Sequence, residues 1–552
     1  MKKIIPSLFV LFTITTQAQV PCVDGFADIY PCQHMDLAAY MPLADIGGGA
    51  NTNDVWGWIS PVTQKEYALV GVSNGTAFVD VSDPINPIYL GILPTHTNNN
   101  LWRDLEAFNN YCFIGSEAPG HGLQIFDLLQ LDNVTNPPVT FENTAHYDGF
   151  GNSHTINIDP VSGFLYAMGT QTFSGGLHIV DINDPLNPTL AGGFAEDGYT
   201  HDGFAITYPG PDVDWFGKEV VMACNADALT IVDVDDKSDC QYISTLSYPN
   251  LGYVHQGWFT KDYKYFLLND ELDEQNLMQL TRTHIFDIQD LDNPIYMGFH
   301  EFETTSIDHN LYLVDQFVFE SNYRSGVRVL DASRTFNTEL KEIGYFDLFP
   351  TNDLPLFSGT WSNYPYLPSG INLATSMYDG FFIIQPRLVD IPEVATFCDG
   401  GSFDITINAD LYFPLTVSAS GSDPSANAAG PQITGPGTYT INLTGNWVDE
   451  GAKLLLTTTF GSTYEFPIYI DNCVSTEERE IATLKLFPNP TNELLRIEGL
   501  KRGEMLNMYN TAGTLVLTRQ APSDAIVIDV QDFPTGVYIL NAGSKSSRLV
   551  VE

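Results

Sequence analysis

The sequence predicts an all-β protein, a seven-bladed β-propeller followed by an immunoglobulin-like β-sandwich and a small C-terminal β-sandwich. Three observations predict this fold. Glycine (45) and proline (33) are plentiful among the 552 residues and only 16% are charged, a composition typical of short strands joined by turns. A strand that ends in aspartate recurs at intervals of about fifty residues. Beyond residue 388 these repeats give way to strands rich in Thr, Ser and Gly.

The charge balance limits the classes of partner. The chain has 23 basic and 68 acidic residues, a formal net charge of −45. A surface this acidic repels phosphate backbones and anionic lipids, so nucleic-acid and peripheral-membrane roles are excluded. Hydrophobic residues at 44% are sufficient for packed cores, which excludes a disordered acidic chain.

Residues 1–18 have the pattern of a signal peptide. Lys2 and Lys3 precede an apolar run that extends to Phe12, and small residues precede a cleavage point near Ala18. The run is too short to cross a bilayer, and no later run reaches about 18 apolar residues. We therefore expect an exported protein, secreted or at the cell surface, without a transmembrane segment.

The repeat is followed most easily by the aspartate that ends its third strand. Its positions are Asp80, Asp127, Asp181, Asp233, Asp287 and Asp331, with Gln385 in the seventh place. Seven units of about fifty residues have the period of propeller blades. Residues 36–388 are therefore predicted to form a propeller, with four antiparallel strands in each unit.

The seventh unit ends after its third strand. The segment Asp36–Leu43 resembles the fourth strand of the first unit in its apolar pattern. Closure of a propeller removes exposed sheet edges, so this N-terminal segment is predicted to complete the last blade.

Seven cysteines are expected to encounter an oxidising compartment. Proximity in sequence suggests the pairs Cys22–Cys32 and Cys224–Cys240, and a third pair, Cys398–Cys473, would clasp the module after the propeller. Cys112 lies in a strand-like segment and is expected to be a buried, inert thiol.

Three segments follow the propeller. Residues 389–474 are predicted to form the immunoglobulin-like β-sandwich, although the Cys…Trp…Cys spacing of antibody domains is absent. Residues 475–482 form a charged linker, and residues 483–552 form the last module.

Two resemblances to known families add to this interpretation. The strands Leu177–Asp181 and Leu229–Asp233 resemble LVIVD repeats, and an ordered series of motifs makes residues 36–386 similar to the choice-of-anchor B family. The motifs include Asp54-Val-Trp-Gly-Trp58, Tyr199-Thr-His-Asp202, His255-Gln-Gly-Trp258 and Ile307-Asp-His-Asn310. This resemblance implies an extracellular propeller without an established activity, so it assigns no catalytic residue.

The last module resembles the type A sorting domain of type IX secretion. Its motifs are Phe487-Pro-Asn-Pro-Thr491, Asn507-Met-Tyr-Asn-Thr-Ala-Gly513 and Pro534-Thr-Gly-Val-Tyr538, with a less basic C-terminal end than is usual. The resemblance implies that residues 483–552 bind the type IX secretion machinery and that the cargo is released or anchored at the outer surface.

Histidines recur at the start of the first strand in units three to six. They are His154, His201, His255 and His309. Because first strands line the channel of a propeller, these four side chains are predicted to form an arc at one channel mouth, with Asp104, Asp202 and Asp308 beside them. Arg103 and Trp361 occupy the corresponding places in units two and seven.

Three interpretations of the arc stay open. The histidines can be a structural interlock in which each ring bonds the backbone of the next blade. Imidazoles with carboxylates can also bind a divalent metal, zinc or calcium, or another ligand. Acid–base chemistry without metal is the third interpretation.

The segment Asp270-Glu-Leu-Asp-Glu274 places four carboxylates in five residues. Calcium takes such ligands, but the EF-hand pattern is missing, so a solvated acidic loop is the favoured interpretation.

The sequence thus favours a binding module for an extracellular ligand, glycan or protein. The alternative is a metal-dependent enzyme, a hydrolase or lyase, that uses the histidine arc.

Overall fold

The computed structural model describes residues 19–392, 395–397, 401–421, 426–444, 452–468, 470–472, 484–510, 515–531, 533–542 and 545–551. The predicted signal peptide, the linker and the predicted Cys398–Cys473 pair lie outside the described residues. The chain divides into two compact units, one that ends at Ile470 and contains the repeats, and one that contains the C-terminal module.

Seven sheets carry the repeats. An N-terminal segment supplies β1 (Phe26–Ala27), β2 (Tyr30–Gln33) and β3 (Met35–Pro42). Blade 1 consists of β4 (Thr52–Ile59), β5 (Glu66–Val72), β6 (Gly75–Asp80) and β7 (Ile88–Pro94). Blade 2 consists of β8 (Arg103–Phe108), β9 (Tyr111–Ser116), β10 (Leu123–Asp127) and β12 (Ala145–Tyr147). The short β11 (Val139–Thr140) lies between β10 and β12 in sequence but pairs with β7 of blade 1.

Blades 3 and 4 follow the same up-and-down order. Blade 3 consists of β13 (Thr155–Asp159), β14 (Phe164–Met168), β15 (Leu177–Asp181) and β16 (Thr189–Phe194). Blade 4 consists of β17 (Asp202–Thr207), β18 (Glu219–Cys224), β19 (Leu229–Asp233) and β20 (Gln241–Leu246).

Blade 5 carries a short helix between its second and third strands. It consists of β21 (Val254–Phe259), β22 (Tyr265–Asp270), α1 (Asp273–Leu277), β23 (Arg282–Asp287) and β24 (Ile295–Glu301). Blade 6 consists of β25 (Asn310–Val314), β26 (Phe317–Asn322), β27 (Gly326–Arg334) and β28 (Glu339–Phe346), extended outward by β2 and β1. Four 3₁₀ turns cover Leu43–Ile46, Leu128–Asn133, Phe173–Gly175 and Thr335–Asn337.

The N-terminal strand closes the ring, as the sequence predicts. Blade 7 consists of β29 (Thr360–Tyr364), β30 (Asn372–Ser376), β31 (Gly380–Pro386) and, as its outer strand, β3. The β3 strand pairs antiparallel with β31 from Met35↔Pro386 to Pro42↔Gly380. Adjacent inner strands contact one another from β4 through β29 and back to β4, so the propeller is closed.

The hydrophobic cores lie between neighbouring blades. All seven residues of β5 are buried, which is expected of a strand that has another blade against each face. One cluster joins blade 7 to blade 1 through residues such as Val70, Val79 and Ile383, and a second joins blades 4 and 5 through Met222 and Phe266. The blades are therefore held together by side-chain packing and by side-chain hydrogen bonds such as that of Tyr67 with Asp132, whereas the backbone hydrogen bonds between strands lie within each sheet.

The recurring aspartate has a structural role. In each of six blades its Oδ1 accepts a hydrogen bond from the backbone N–H two residues further on, at 3.0–3.1 Å. This Asx-type bond fixes the turn that follows the third strand. The repeat signature is therefore explained by turn formation.

The disulfide predictions have different outcomes. Cys22 and Cys32 form a disulfide, as predicted. The predicted Cys224–Cys240 pair is wrong, because both thiols are free and buried. Cys224 pairs with Leu229 at one end of β19, whereas Cys240 precedes Gln241, which pairs with Asp233 at the other end. A five-residue strand separates the two by roughly 13 Å, beyond the reach of a disulfide. Cys112 is buried and free, as expected.

Three further sheets follow the propeller, and two of them belong to the same unit. Their strands are β32 (Val389–Asp390), β33 (Ala395–Phe397), β34 (Ser402–Ile407), β35 (Leu415–Ser420), β36 (Asn427–Ala429), β37 (Gly437–Thr444), β38 (Lys453–Thr458), β39 (Thr463–Pro467) and β40 (Ile470–Asn472). The sheet orders β32-β34-β37-β36 and β35-β38-β39 are antiparallel throughout, whereas β33 and β40 pair at the boundary with the second unit. The immunoglobulin-like assignment stays a prediction.

This module contacts blade 6 through one buried tyrosine. The Tyr464 hydroxyl donates to Asp331 Oδ2 at 2.6 Å, and its ring stacks on Phe317 with centroids 5.6 Å apart. Lys261 of blade 5 forms ion pairs with Asp315 and Glu465. The module is therefore docked against the propeller.

The second unit is a small β-structure with its own core. Its strands are β41 (Lys485–Phe487), β42 (Leu494–Glu498), β43 (Met505–Asn510), β44 (Leu515–Gln520), β45 (Ala525–Asp529), β46 (Gly536–Ala542) and β47 (Lys545–Val551). They form a three-stranded sheet, β41-β42-β45, and a four-stranded sheet, β44-β43-β46-β47. Leu495, Met508 and Leu540 are buried in its core. None of the helices in the described part of the chain is long and apolar enough to span a membrane.

Candidate metal centre at the channel mouth

The four periodic histidines lie side by side. The ring centroids are 4.1 Å apart for His154 and His201, 4.6 Å for His201 and His255, and 4.3 Å for His255 and His309. His154, His201 and His309 directly precede the inner strands of their blades and His255 is the second residue of β21, so the repeat of the fold places similar side chains at similar positions around the channel. We call these four residues the histidine arc.

Two members of the arc form the predicted interlock. His255 Nδ1 donates to the carbonyl oxygen of His309 at 2.9 Å, and His309 Nδ1 donates to the carbonyl oxygen of Trp361 at 2.6 Å. The interlock interpretation is therefore confirmed for His255 and His309. A neutral imidazole that donates from Nδ1 has its lone pair on Nε2, so both rings keep one nitrogen available as a ligand.

The other two histidines are held by side chains. His154 Nδ1 lies 2.6 Å from Glu117 Oε1, and His201 Nδ1 lies 2.9 Å from the hydroxyl of Tyr253 and 3.1 Å from that of Tyr199. A tyrosine hydroxyl accepts as well as donates, so His201 can carry its proton on Nδ1. The Nε2 atoms of His154 and His201 are then 3.2 Å apart.

Glu271 supplies a carboxylate to the arc. Its Oε1 lies 3.6 Å from His309 Nε2 and its Oε2 lies 3.8 Å from His255 Nε2, while the Tyr323 hydroxyl donates to Oε1 at 3.0 Å. Ligand atoms of His201, His255 and Glu271 all lie within 4.8 Å of one another. Glu271 is not among the residues that the sequence predicts for the arc, and its only signal is its place in the acidic segment after β22.

Burial keeps three histidines of the arc, His201, His255 and His309, neutral. Loss of solvation lowers the pKa of His201 and His255 well below the usual value and lowers that of His309 to about 3. The neighbouring imidazoles lower these pKa values further. Burial raises the pKa of Glu271 to about 8. Neutral imidazoles are the form that binds metal.

The mouth is open to solvent on the side of His154. The side chains of His154 and Glu117 are 14% and 31% exposed, whereas that of His255 is only 4% exposed. An exposed aromatic side chain adjoins the arc. Tyr199, whose hydroxyl lies 3.1 Å from His201 Nδ1, is 40% exposed.

Two predicted neighbours of the arc lie inside the channel. Asp104 accepts from the Ile156 N–H at 2.7 Å and Asp202 from the Gly203 N–H at 2.6 Å. Both are coupled electrostatically to Asp54, and burial raises the pKa of all three carboxyls. These channel carboxyls bond backbone groups of the inner strands and form no hydrogen bond with the imidazoles in the described part of the chain.

The remaining predictions need correction. Arg103 is 1% exposed and bonds His121 Nε2 at 3.1 Å and the carbonyl oxygen of Val72 at 3.3 Å, so it lies in the core of blades 1 and 2. Asp308 bonds Asn269 and the backbone of Asp270, away from the arc, because side chains of successive residues point in opposite directions. Trp361 does adjoin the arc, with its ring 5.1 Å from that of His309.

The prediction of a solvated loop at Asp270–Glu274 is also wrong. Asp270, Asp273 and Glu274 are all at most 1% exposed, and Glu271 is only 14% exposed. The chain folds this segment into α1 against the propeller, which no sequence pattern indicated.

Comparison with known families finds two matches. Residues 485–552 match the secretion system C-terminal sorting domain, and residues 64–95 and 172–195 match the LVIVD repeat. The chain therefore carries LVIVD repeats and a type IX sorting domain, as the sequence predicted, and the sorting domain implies secretion or a cell-surface location.

Two solved structures share distant similarity. Hydrazine synthase of Kuenenia stuttgartiensis has a TM-score of 0.41 at 10% identity, over 60% of this chain and 94% of that chain. PorZ, described as an essential surface component of the type IX secretion system of Porphyromonas gingivalis, has a TM-score of 0.35 at 12% identity, over 91% and 68%. Both scores are below 0.5 and bear on no functional conclusion. No curated protein matches the chain.

Proposed function

We propose that this exported LVIVD-repeat propeller is a binding module that holds a divalent transition-metal ion in its histidine arc and uses that ion to bind an extracellular ligand. The observation that carries the proposal is the convergence of the Nε2 atoms on one side of the rings, with Glu271 facing them at 3.6 and 3.8 Å. The choice-of-anchor B resemblance fits an extracellular propeller and leaves the ligand open.

The spacing of the ligand atoms supports zinc or a similar ion. Two nitrogens bonded to tetrahedral zinc at about 2.0–2.1 Å lie about 3.3 Å apart. The Nε2 atoms of His154 and His201 are 3.2 Å apart, close to that separation. Imidazole ligands favour zinc and related ions over calcium and magnesium.

The groups behind the ligands support the same proposal. Metal-binding histidines usually donate their second N–H to a carbonyl or carboxylate, which fixes the ring and the tautomer. His255 and His309 donate to carbonyl oxygens, and His154 contacts Glu117. The interlock and the metal site are therefore compatible, because they use different nitrogens of the same rings.

The solvent opening beside His154 supports a role in ligand binding. An ion bound there keeps a face toward Tyr199, an exposed aromatic residue beside His201. A ligand that offers an oxygen donor to the ion, such as a carboxylate or a sugar hydroxyl, would also contact this ring.

Metal analysis of the secreted protein tests the proposal. After removal of metal and addition of one equivalent of Co²⁺, we expect a visible absorption spectrum typical of nitrogen ligands, which shifts when acetohydroxamate occupies the open position. His154→Ala and His201→Ala should weaken Co²⁺ binding at least about tenfold. Binding should also weaken as the pH falls through about 8, because the Glu271 carboxyl that faces the ion has its pKa raised to about 8 and then takes up a proton.

His146→Ala is the matched control. His146 stacks on His96 with centroids 3.9 Å apart and belongs to blade 2, outside the arc. This variant should bind Co²⁺ like the wild type. Equal Co²⁺ spectra for the wild type and the His201→Ala variant would contradict the proposal.

A metal-dependent hydrolase or lyase is the second candidate. One observation favours it, the partly exposed Glu117 carboxylate at the opening, because catalytic metal sites combine an open position with a carboxylate that can move protons. The test is turnover of ester or glycoside substrates by the metal-loaded protein. If the Glu117→Gln variant loses this turnover but still binds Co²⁺, the enzyme is favoured over the binding module.

A further inference from the structure

A second group of ligand-type side chains is buried in blade 5, apart from the histidine arc. Asp273 and Glu274 begin α1, His284 lies on β23, and Asp308 directly precedes His309. Their exposed fractions are 1%, 1%, 2% and 0%. We call these four residues the buried carboxyl cluster.

Several polar atoms of this cluster lack a partner outside it in the described part of the chain. Oδ1 of Asp308 and Nε2 of His284 are buried without a hydrogen-bond partner among the described residues, and the buried carboxyl groups of Asp273 and Glu274 have no donor side chain except each other. Each unpartnered buried polar group costs about 1–3 kcal/mol, and a charged one costs more. Asp273 and Glu274 are close enough to Asp308 to raise its pKa, which points to a missing partner that these groups share.

Surrounding residues orient the unpartnered atoms. His284 Nδ1 lies 3.1 Å from the Tyr296 hydroxyl, which leaves Nε2 directed toward Asp273 Oδ2 at 4.0 Å. Asn269 Nδ2 donates to Asp308 Oδ2 at 2.7 Å, which leaves Oδ1 free. Ligand atoms of Asp270, Asp273 and His284 lie within 4.8 Å of one another. A shift of less than about 1 Å would bring Asp273 and His284 to the spacing of two ligands on one ion.

The nearby side chains do not neutralise the cluster. Arg282, the cation closest in sequence, forms its ion pair with Glu301 at 2.6 Å and lies over the Phe299 ring. Asp270 already accepts from Tyr248, Gly252 and Tyr253, and Glu320 accepts from Asn269 and Thr283. These two carboxylates add negative charge, so the cluster requires a cation or bound protons.

We propose that Asp270, Asp273 and His284 bind one divalent transition-metal ion, with Glu274 and Asp308 beside them. Carboxylates with one imidazole are a ligand set that suits manganese or zinc, whereas calcium and magnesium prefer oxygen alone. The site is closed to solvent, so the ion is structural and ties the loop after β22 to β23. That loop also carries Glu271, so the ion fixes the carboxylate that faces the histidine arc.

Metal content separates this site from the arc. We expect the purified full chain to retain about one equivalent of manganese or zinc after brief chelation that strips the solvent-accessible arc. Asp273→Asn should lose this equivalent, whereas His201→Ala should keep it. Asp290→Asn, which changes an exposed carboxylate of blade 5, is the matched control and should also keep it.

A spectroscopic measurement covers the case in which the variants fail to fold. X-ray absorption at the metal edge of the His201→Ala protein should show mainly oxygen ligands with one imidazole. The proposal is overturned if this protein holds no tightly bound ion, holds only calcium, or holds a metal surrounded mainly by nitrogen. It is also overturned if Asp273→Asn retains the full wild-type metal content, because the carboxyls would then be satisfied by protons alone. These outcomes do not depend on the histidine arc, so they test the buried site even if the arc fails to bind Co²⁺.

Discussion

His255 and His309 use their two ring nitrogens for different purposes. Nδ1 bonds a backbone carbonyl of the next blade, and Nε2 faces the shared space in front of Glu271. A residue that was duplicated with the blade can therefore connect blades and still offer a ligand atom. Substitution of either histidine would remove both functions together, which is why His154 and His201 are the better probes of metal binding.

The channel carboxyls make a residue-scale prediction about pH. Asp54 is 3% exposed, its Oδ2 accepts from the Leu105 N–H at 3.1 Å, and burial raises its pKa to about 6. A carboxyl whose pKa is raised in the folded state binds protons more tightly when folded. Its contribution to stability is therefore present at low pH and is lost as the pH rises through about 6.

We compare the unfolding free energy of Asp54→Asn with that of the wild type at two pH values. We expect this difference to favour the variant by roughly 1–3 kcal/mol more at pH 7.5 than at pH 5. Urea unfolding at the two pH values measures this difference. The buried histidines, which lose stability as the pH falls below about 6.5, cancel in the comparison. Asp148→Asn changes an exposed carboxylate and is the control, so its unfolding free energy should differ from that of the wild type by the same amount at both pH values. A pH-independent effect of Asp54→Asn would contradict the prediction.

At the scale of elements, β3 joins the two ends of the propeller. Blade 7 has only three strands of its own, and without β3 the backbone of β31 would present an open edge. The first residues of the propeller thus bond the last, so closure of the ring depends on one pairing between segments that are far apart in sequence.

Ala39→Pro tests this pairing. Ala39 is 1% exposed and pairs with Ile383, and proline there removes an N–H from the centre of the strand. We expect a loss of about 3 kcal/mol or more in unfolding free energy and an increased tendency to aggregate, measured by thermal unfolding and light scattering. Ala39→Gly keeps the N–H and should cost only about 1 kcal/mol. Equal melting temperatures for the two variants would exclude β3 as the closing strand.

For the whole molecule, the residues that stabilise the propeller and the residues that direct export belong to different units. The C-terminal unit has its own core, and its residues 485–552 match the sorting domain. The docked module before it belongs to the propeller unit, through contacts such as that of Tyr464 with Asp331. The structural basis for stability and the address for secretion therefore lie in different parts of the chain.

Truncation after residue 474 should separate these two properties. We expect the shortened protein to keep the melting temperature of the propeller within a few degrees, because no residue of the propeller core is removed. It should remain in the periplasm, because the sorting domain is lost. Circular dichroism and cell fractionation measure the two outcomes, with full-length protein as the reference. Appearance of the truncated chain at the cell surface would show that residues 483–552 are not required for export.

The sequence by itself determined the repeat architecture. The aspartate at each turn, the apolar third strands and the missing fourth strand of the last unit are local patterns, and each follows from turn chemistry or from strand pairing. The periodic histidines were also visible, because a closed ring of equal units converts a sequence interval into neighbouring positions in space. The sorting domain was recognisable from its motifs alone.

Only the tertiary structure decided which way individual side chains point. Asp308 and His309 are adjacent in sequence, yet one lies in the buried carboxyl cluster and the other in the histidine arc. Glu271 turns to the arc while Asp273 and Glu274 enter the core, although all three belong to one acidic segment. Cys224 and Cys240 are close in sequence but lie at opposite ends of a blade. The physical reason is that the path of the backbone through a turn, a helix or a strand sets the direction of each side chain. A strand also places sequence neighbours its own length apart, so contacts depend on pairing that is not local.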